Sequence, residues 1–135
     1  MTNKEVVKAW FAAIDNKDFN TIKNLMDSKH KFRNPMTPAP VGVDEHVGMM
    51  QMMTSALDGK HNLNVIFSDD DHVGVSGKWT GKHVGEFNGV PATGNAVEFY
   101  FVELFHVANG KVVNEHLEMN PLVIMQQIGG VPANA

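Results

Sequence analysis

Four side chains in two neighbouring segments near the C-terminus could carry acid–base chemistry: Tyr100, His106, His116 and Glu118. A carboxyl group enclosed in an apolar pocket exchanges its proton nearer to neutral pH, which is the role expected of Glu118. A tyrosine hydroxyl can donate to the oxygen of a developing enolate, which is the role expected of Tyr100. The histidines are competing proton carriers. The structural alternative is a tyrosine–carboxylate pair on the solvent face of a sheet.

His106, His116 and Glu118 also have the composition of a two-histidine, one-carboxylate metal site. Strand spacing opposes this interpretation. His106 is expected opposite Val112, four residues before His116, so the two imidazoles would lie roughly 13 Å apart at about 3.3 Å per residue. Cysteine is absent, so thiolate ligands are excluded. We therefore predict no metal and no other cofactor.

The register of the predicted hairpin decides which of these side chains face a pocket. A two-residue turn at Asn109–Gly110 and a three-residue loop that pairs Val107 with Lys111 both fit the sequence. The three-residue loop separates polar from apolar side chains more cleanly. It predicts that Tyr100 lies opposite Glu118 on the pocket face, together with His106 and Asn120, and that Phe99, Phe101 and Phe105 lie on the other face. A slip of one residue would invert every assignment.

Several apolar side chains could line the pocket. Four methionines flank Gln51 in the sequence of a predicted helix and cover more than one of its faces, and thioethers adapt to irregular apolar shapes. The expected lining residues are Trp10, Phe11, Met50, Met53 and Trp79. Core packing or a subunit interface is the alternative for the methionines.

Two asparagines could add polar contacts to a ligand. Asn34 could contact it from the first strand, or it could satisfy the turn before Pro35. Asn120 precedes Pro121, an arrangement typical of a helix start, so it could cap the last helix alone or also bind the ligand.

These residues must be positioned by helices and strands whose patterns differ along the chain. Thr2 and Glu5 form a predicted capping box for a helix to about Asp15. Asn20 is expected to cap a short second helix, followed by a strand over 30–34. Asp44 opens a third helix that Gly59 would end. Strand patterns then follow around Leu63–Phe67 and over 72–83, 98–107 and 111–119, before a last helix over 122–128. This order predicts an α+β domain with a curved antiparallel sheet around a pocket, covered by the N-terminal helices.

Length and composition limit the class of protein. The chain has 135 residues, which fits a single domain over 1–135, and 43% are hydrophobic. The formal charge of −4 argues against binding to nucleic acid. No stretch is long enough to span a membrane, and the N-terminus lacks the pattern of a signal peptide. A cytoplasmic location without membrane contact follows as the expectation.

The segment GKHVGEFNGVPATGNAVEF, residues 81–99, carries a more specific signal. Its Gly81, His83, Gly85, Pro91 and Gly94 are part of a pattern that resembles the SnoaL-like polyketide cyclases, members of the nuclear transport factor 2-like superfamily. The closing segment, with Met125, Gln126, Gln127 and Gly129, is similar as well. The resemblance implies a cone-shaped α+β barrel, a homodimer or homotetramer, and a cofactor-free intramolecular aldol cyclisation.

One position departs from the family pattern. The resemblance places a proton-handling aspartate where this chain has Asn120, whereas the family histidine on the preceding strand corresponds to His106. An amide does not exchange a proton at neutral pH. The family mechanism therefore cannot transfer unchanged.

Three functions are compatible with these observations. The first is a SnoaL-like enzyme that catalyses cofactor-free proton transfer, by aldol cyclisation or isomerisation, on an apolar carbonyl-bearing substrate. The second is a non-catalytic protein that binds a hydrophobic small ligand on the same fold. The third is an association module that uses an open sheet face. Fold alone does not decide among them.

Overall fold

The computed structural model describes residues 1–132. Its helices are α1 (Asn3–Asp15), α2 (Phe19–Leu25), α3 (Val43–Ala56) and α4 (Pro121–Gln127). Its strands are β1 (Met26–Arg33), β2 (Leu57–Asp69), β3 (His72–His83), β4 (Ala96–Ala108) and β5 (Lys111–Glu118). None of the helices in this part of the chain is both long and apolar enough to cross a bilayer.

The five strands form one sheet in the order β1-β5-β4-β3-β2. The four later strands pair antiparallel, and β1 joins the edge in parallel with β5. The predicted α+β class with a curved sheet is confirmed. The sheet is mixed rather than wholly antiparallel, because β1 pairs in parallel with β5, and it is open rather than closed into a barrel. The first strand is longer than predicted, because it continues directly from α2 at Met26.

Helix α1 covers the concave side of the sheet. Thr2 and Glu5 form the predicted capping box, and the buried stripe of α1 includes Val6, Trp10 and Phe11. The ring of Phe11 packs on Phe105, with 5.7 Å between centroids. This packing turns the phenylalanines of β4 toward the helices.

Two predicted helix boundaries were wrong. Asp18, not Asn20, caps α2, because its side chain accepts hydrogen bonds from the backbone and hydroxyl of Thr21. Helix α3 ends at Ala56, before Gly59. Gly59 instead lies in β2, where a side chain would collide with the Thr80 carbonyl and the Trp79 ring.

The predicted hairpin register was also wrong. Asn109 and Gly110 both have positive φ, of 54° and 73°, and form a two-residue turn that pairs Ala108 with Lys111. A bulge next to Val107 then places one extra residue on β5. Beyond the bulge Val102, rather than Tyr100, lies opposite Glu118. The register therefore differs from the predicted one by two residues.

The concave face of β4 and β5 is the one predicted to face outward. Phe101, Glu103 and Phe105 are buried there, whereas Tyr100 is 71% exposed on the opposite face. The physical reason is that burying two complete phenylalanine rings under the helices removes more apolar surface from water than burying Tyr100 would. The cavity therefore receives the odd-numbered side chains of β4.

Candidate active site

A cavity of about 150 Å³ lies between α3, the end of α1 and the concave face of the sheet. Most of its lining is apolar. Aromatic and aliphatic contributors include Phe32, Leu57, Trp79, Phe87, Phe99, Phe101, Leu117 and Ile124, and methionines are contributed by Met36, Met49, Met50, Met53 and Met119. The polar lining residues are Asp15, Lys17, His46, Thr54, Asp58, His61, Glu103 and Glu115. Lys17 and Asp58 are mostly exposed and pair with each other over 3.7 Å, so the buried polar groups are the candidates for chemistry.

Asp15 and His61 form the first polar group. Asp15 is the last residue of α1, and His61 lies on β2, where alternate side chains face the cavity. Nδ1 of His61 lies 2.6 Å from Oδ1 of Asp15, and the His61 backbone N–H donates to Oδ2 over 3.0 Å. A carboxylate only accepts, so Nδ1 carries the hydrogen and Nε2 of the neutral imidazole keeps its lone pair.

Glu103 and Glu115 form the second polar group. They project from adjacent strands onto the concave face, and they are only 8% and 5% exposed. The two carboxyl groups are close enough to shift each other's pKa, and a hydrogen bond between them requires that one carries a proton. Burial raises the pKa of Glu115 well above its usual range, and the neighbouring Glu103 raises it further.

The two polar groups act on the same cavity. Burial raises the pKa of Glu103, whereas its hydrogen bond with Glu115 and, when His61 is protonated, the charge of that imidazolium lower it. His61 and both glutamates line this cavity, and the His61 ring packs on Phe101, two residues before Glu103, with 5.4 Å between ring centroids. The cavity thus combines an imidazole held by a carboxylate with a buried pair of carboxyl groups whose pKa values are raised.

Two further histidines lie next to the carboxyl pair, and one of them, His46, also lines the cavity. His30 on β1 and His46 on α3 are 1% and 2% exposed, and their rings are nearly coplanar. Nε2 of His30 lies 2.9 Å from Nδ1 of His46, and Nε2 of His46 lies 3.8 Å from Oε1 of Glu115. Burial lowers the pKa of His46 to about 2, with a smaller contribution from His30.

His30, His46 and Glu115 have ligating atoms within 4.8 Å of one another, which is the composition of a metal site. The geometry favours a hydrogen-bonded chain instead. Nε2 of His30 and Nδ1 of His46 are in direct contact, so the lone pair of one nitrogen accepts the hydrogen of the other. A metal ion bound to both nitrogens would need the space that this contact occupies.

The four predicted catalytic side chains do not meet at the cavity. Tyr100 and Glu118 lie on the exposed outer face of the sheet, and Glu118 bonds to His116 over 3.0 Å. His106 stacks on His72 on the same face, with 5.1 Å between ring centroids. Their predicted placement in the pocket is wrong, because the hairpin presents its other face to the helices.

The predicted binding residues divide into two groups. Met50, Met53 and Trp79 line the cavity as predicted. Trp10 and Phe11 are buried one layer behind it, where Trp10 packs against His30 and His46 and Phe11 packs against His61. These two rings support the polar groups rather than the cavity wall.

Both asparagines serve local structure. Asn34 accepts hydrogen bonds from the backbone of Met36 and Thr37, so it satisfies the turn beyond Pro35. Asn120 caps α4 by accepting from the backbone N–H of Leu122 over 3.1 Å. The capping alternative is confirmed, and contact of either asparagine with a ligand remains a prediction.

Sequence reasoning missed Asp15, His61, Glu103 and Glu115. One signal was available for Glu103, which interrupts the alternating apolar series of Phe99, Phe101 and Phe105. A carboxylate in the middle of a buried strand face is exceptional unless it has a partner or a function. The pairing of Asp15 with His61 joins residues 46 positions apart and left no local signal.

Comparison with known proteins gives one family and a consistent fold. A family model described as SnoaL-like polyketide cyclase matches residues 4–128. No curated protein sequence matches the chain.

Solved structures match along nearly the whole chain. AclR of Streptomyces galilaeus, named as a candidate hydroxylase, is 24% identical with a TM-score of 0.87, covering 96% of this chain and 82% of AclR. IdmH of Streptomyces antibioticus, named as a candidate polyketide cyclase, is 20% identical with a TM-score of 0.85, covering 96% of this chain and 99% of IdmH. A protein from Jannaschia sp. CCS1, named as a candidate SnoaL-like polyketide cyclase, is 22% identical with a TM-score of 0.85, covering 96% of this chain and 93% of that protein. Likeness at this identity establishes the shared fold.

Proposed function

Because the chain belongs to the SnoaL-like polyketide cyclase family, we propose that it is a cofactor-free enzyme that moves protons on an apolar, carbonyl-bearing small molecule. The observation that carries this proposal is the pairing of a His61–Asp15 dyad with the Glu103–Glu115 pair on one cavity. These groups supply the base and the acid that such a reaction needs.

His61 is the proposed general base. Its Nε2 lone pair removes a proton from the carbon beside the substrate carbonyl, and the electrons of that C–H bond form an enolate. Asp15 holds the ring in the required tautomer and stabilises the imidazolium that results, as a carboxylate does for histidine in other acid–base sites. The 2.6 Å contact is short for a nitrogen donor on a carboxylate, and the bond becomes charge-assisted once the ring is protonated.

The Glu103–Glu115 pair is the proposed acid. A neutral carboxyl in a water-poor site donates a hydrogen bond to the enolate oxygen, where negative charge develops. In an aldol cyclisation the enolate carbon then forms a bond to a second carbonyl carbon, and the oxygen of that carbonyl receives the proton held by the His61 imidazolium. In an isomerisation the imidazolium instead returns its proton to a different carbon.

The rest of the cavity fits an apolar substrate. Five methionines line the wall, and flexible thioethers can adapt to a ring system or an alkyl chain without leaving voids. The apolar lining also keeps water from competing for the enolate, which strengthens each polar contact.

The proposal is tested by deuterium exchange in D₂O with phenyl- and alkyl-substituted 1,3-diketones as probes. We expect the protein to accelerate deuterium incorporation at the carbon between the carbonyls. His61→Gln should reduce that acceleration by about 10²-fold or more. The matched control is His116→Gln, which changes the same residue type on the outer face. Equal loss in both variants, or no loss in His61→Gln, would contradict the proposal.

A non-catalytic ligand-binding protein is the second candidate, favoured by the methionine-rich and largely apolar lining. A binding protein would retain apolar probes such as 1-anilinonaphthalene-8-sulfonate without accelerating exchange on any diketone. Probe displacement by the diketones, measured alongside exchange, separates the two functions.

A further inference from the structure

A buried hydrogen-bonded chain leads from the backbone of β5 to the carboxyl pair. Nδ1 of His30 lies 3.0 Å from the carbonyl oxygen of Val112, and Nε2 of His30 lies 2.9 Å from Nδ1 of His46. The far nitrogen of His46 faces Oε1 of Glu115 at 3.8 Å. Oε1 of Glu115 is fully buried and has no hydrogen-bond partner among residues 1–132.

The backbone carbonyl sets the direction of this chain. A carbonyl oxygen can only accept, so Nδ1 of His30 carries a hydrogen. Burial lowers the pKa of His30 and keeps it neutral near pH 7, so its Nε2 has a lone pair that accepts from Nδ1 of His46. His46 is neutral for the same reason, and its Nε2 therefore presents a lone pair to Glu115.

A lone pair facing a buried carboxyl group favours one protonation state of that group. If Glu115 were ionised, its negative charge would lie next to the lone pair on Nε2 of His46 with no hydrogen between them, which is electrostatically unfavourable. A protonated carboxyl can direct its hydrogen to the imidazole or to Glu103. We propose that His30 and His46 are positioning residues that hold Glu115 in its protonated, hydrogen-donating form by fixing the His46 tautomer.

This inference deepens the proposed function, because it names the residues that keep the acid of that site protonated. The titratable groups that face Glu115 are Glu103 from β4 and His46 from α3. His61 from β2 affects the pKa of Glu103 and so influences Glu115 only indirectly. The charge of Asp27, which lies on β1 with His30, raises the pKa of His30 and so opposes part of the effect of burial. Within this set, the like charge of Glu103 and the lone pair of His46 both oppose ionisation of Glu115.

His30 offers a selective way to test the tautomer. His30 does not line the cavity, and its ring bonds to Val112 and His46 rather than to Glu115. His30→Phe removes the acceptor of the His46 hydrogen, so His46 is free to move its hydrogen to the nitrogen that faces Glu115. That hydrogen would stabilise the carboxylate. His30→Gln keeps one donor for Val112 and one acceptor for His46, and it is the conservative control.

The experiment uses ¹⁵N-labelled histidine and ¹³C-labelled glutamate NMR on the substrate-free protein. In the unmodified chain we expect His30 and His46 to be neutral at pH 7, with hydrogen on Nδ1 of both. His30→Phe should shift the His46 hydrogen to Nε2 and lower the pH at which Glu115 ionises by about one unit or more. His30→Gln should restore both values.

Hydrogen on Nε2 of His46 in the unmodified protein, or a charged imidazolium there, would overturn the inference even if His30→Phe did not fold. An unchanged Glu115 titration in a folded His30→Phe variant would overturn it as well. These readouts need no substrate, so their failure is distinct from a failure of the deuterium-exchange test.

Discussion

Asp15 and His61 are joined by two hydrogen bonds that link the end of α1 to the middle of β2. One bond fixes the imidazole and the other fixes the strand backbone. The pair therefore has a chemical role and a structural role that substitution can separate.

Asp15→Asn should separate these roles. The amide oxygen can still accept from the His61 backbone, so we expect only a small loss of thermal stability. The amide cannot stabilise an imidazolium as a carboxylate does, so diketone exchange should fall by about 10²-fold. Parallel measurement of exchange rate and melting temperature checks this prediction. A variant that loses stability but keeps its exchange rate would limit Asp15 to a structural role.

Glu115→Gln should change how stability depends on pH. In the folded protein burial raises the pKa of Glu115, so the folded state retains a proton that the unfolded state releases above about pH 4.3. Stability contributed by this group is therefore present at low pH and is lost as pH rises toward the folded pKa. A neutral glutamine removes this loss, so the variant should gain stability over the unmodified chain as the pH rises above about 4.3, by up to about 1.4 kcal/mol per pH unit.

Urea unfolding at several pH values measures this gain, with the exposed Glu118→Gln as the matched control. Parallel pH curves for Glu115→Gln and the unmodified protein would refute the prediction.

His46→Phe should reveal a pH dependence of stability opposite in sign to that of Glu115. Burial lowers the pKa of His46 to about 2, while the unfolded chain takes up a proton near pH 6.5. The unmodified protein should therefore lose stability relative to His46→Phe as pH falls, by about 1 kcal/mol between pH 6.5 and 5.5. A phenyl ring can keep the stack on Phe32, whose ring centroid lies 3.7 Å from that of His46. His72→Phe, at an exposed histidine, should show no such trend, and a shared trend would refute the assignment.

The outer face of the sheet predicts self-association. The side chains Val65, Phe67, Tyr100, Val102 and Leu104 are exposed there on β2 and β4. A contiguous apolar patch of this kind favours a partner surface. The predicted reason for a dimer, exposure of Phe99, Phe101 and Phe105, was wrong because these rings face the cavity or the core.

We propose that a second copy of the chain covers this patch. Sedimentation velocity at micromolar concentration should show a dimer or tetramer for the unmodified chain and a monomer for Val102→Glu. Lys111→Glu, away from the patch, is the control. A monomeric unmodified protein would refute the proposal.

Local sequence signals predicted the fold well. The Thr2–Glu5 capping box, the β3 bounds of 72–83 and the Asn120–Pro121 helix start all depend on residues within a few positions of one another. The grouping of Tyr100 with His116 and Glu118 on one face was also correct.

The identity of the cavity face depended on longer-range information. The two-residue turn pairs even-numbered residues of β4 with odd-numbered residues of β5, and the bulge near Val107 returns the rest of the hairpin to even–even and odd–odd pairs, as predicted. Only the packing of α1 on Phe105 shows which face is enclosed. The Asp15–His61 contact likewise exists only after β2 folds against the end of α1.

The most direct test of the central claim is whether Glu103 and Glu115 retain a proton at neutral pH. Infrared difference spectra of ¹³C-glutamate-labelled protein, comparing the unmodified chain with Glu115→Gln at pH 7, report the carbonyl stretch of a protonated carboxyl group. We expect that band in the unmodified protein and its loss in the variant, with no loss in Glu118→Gln. A spectrum in which every glutamate is ionised at pH 7 would contradict the proposed acid of this site.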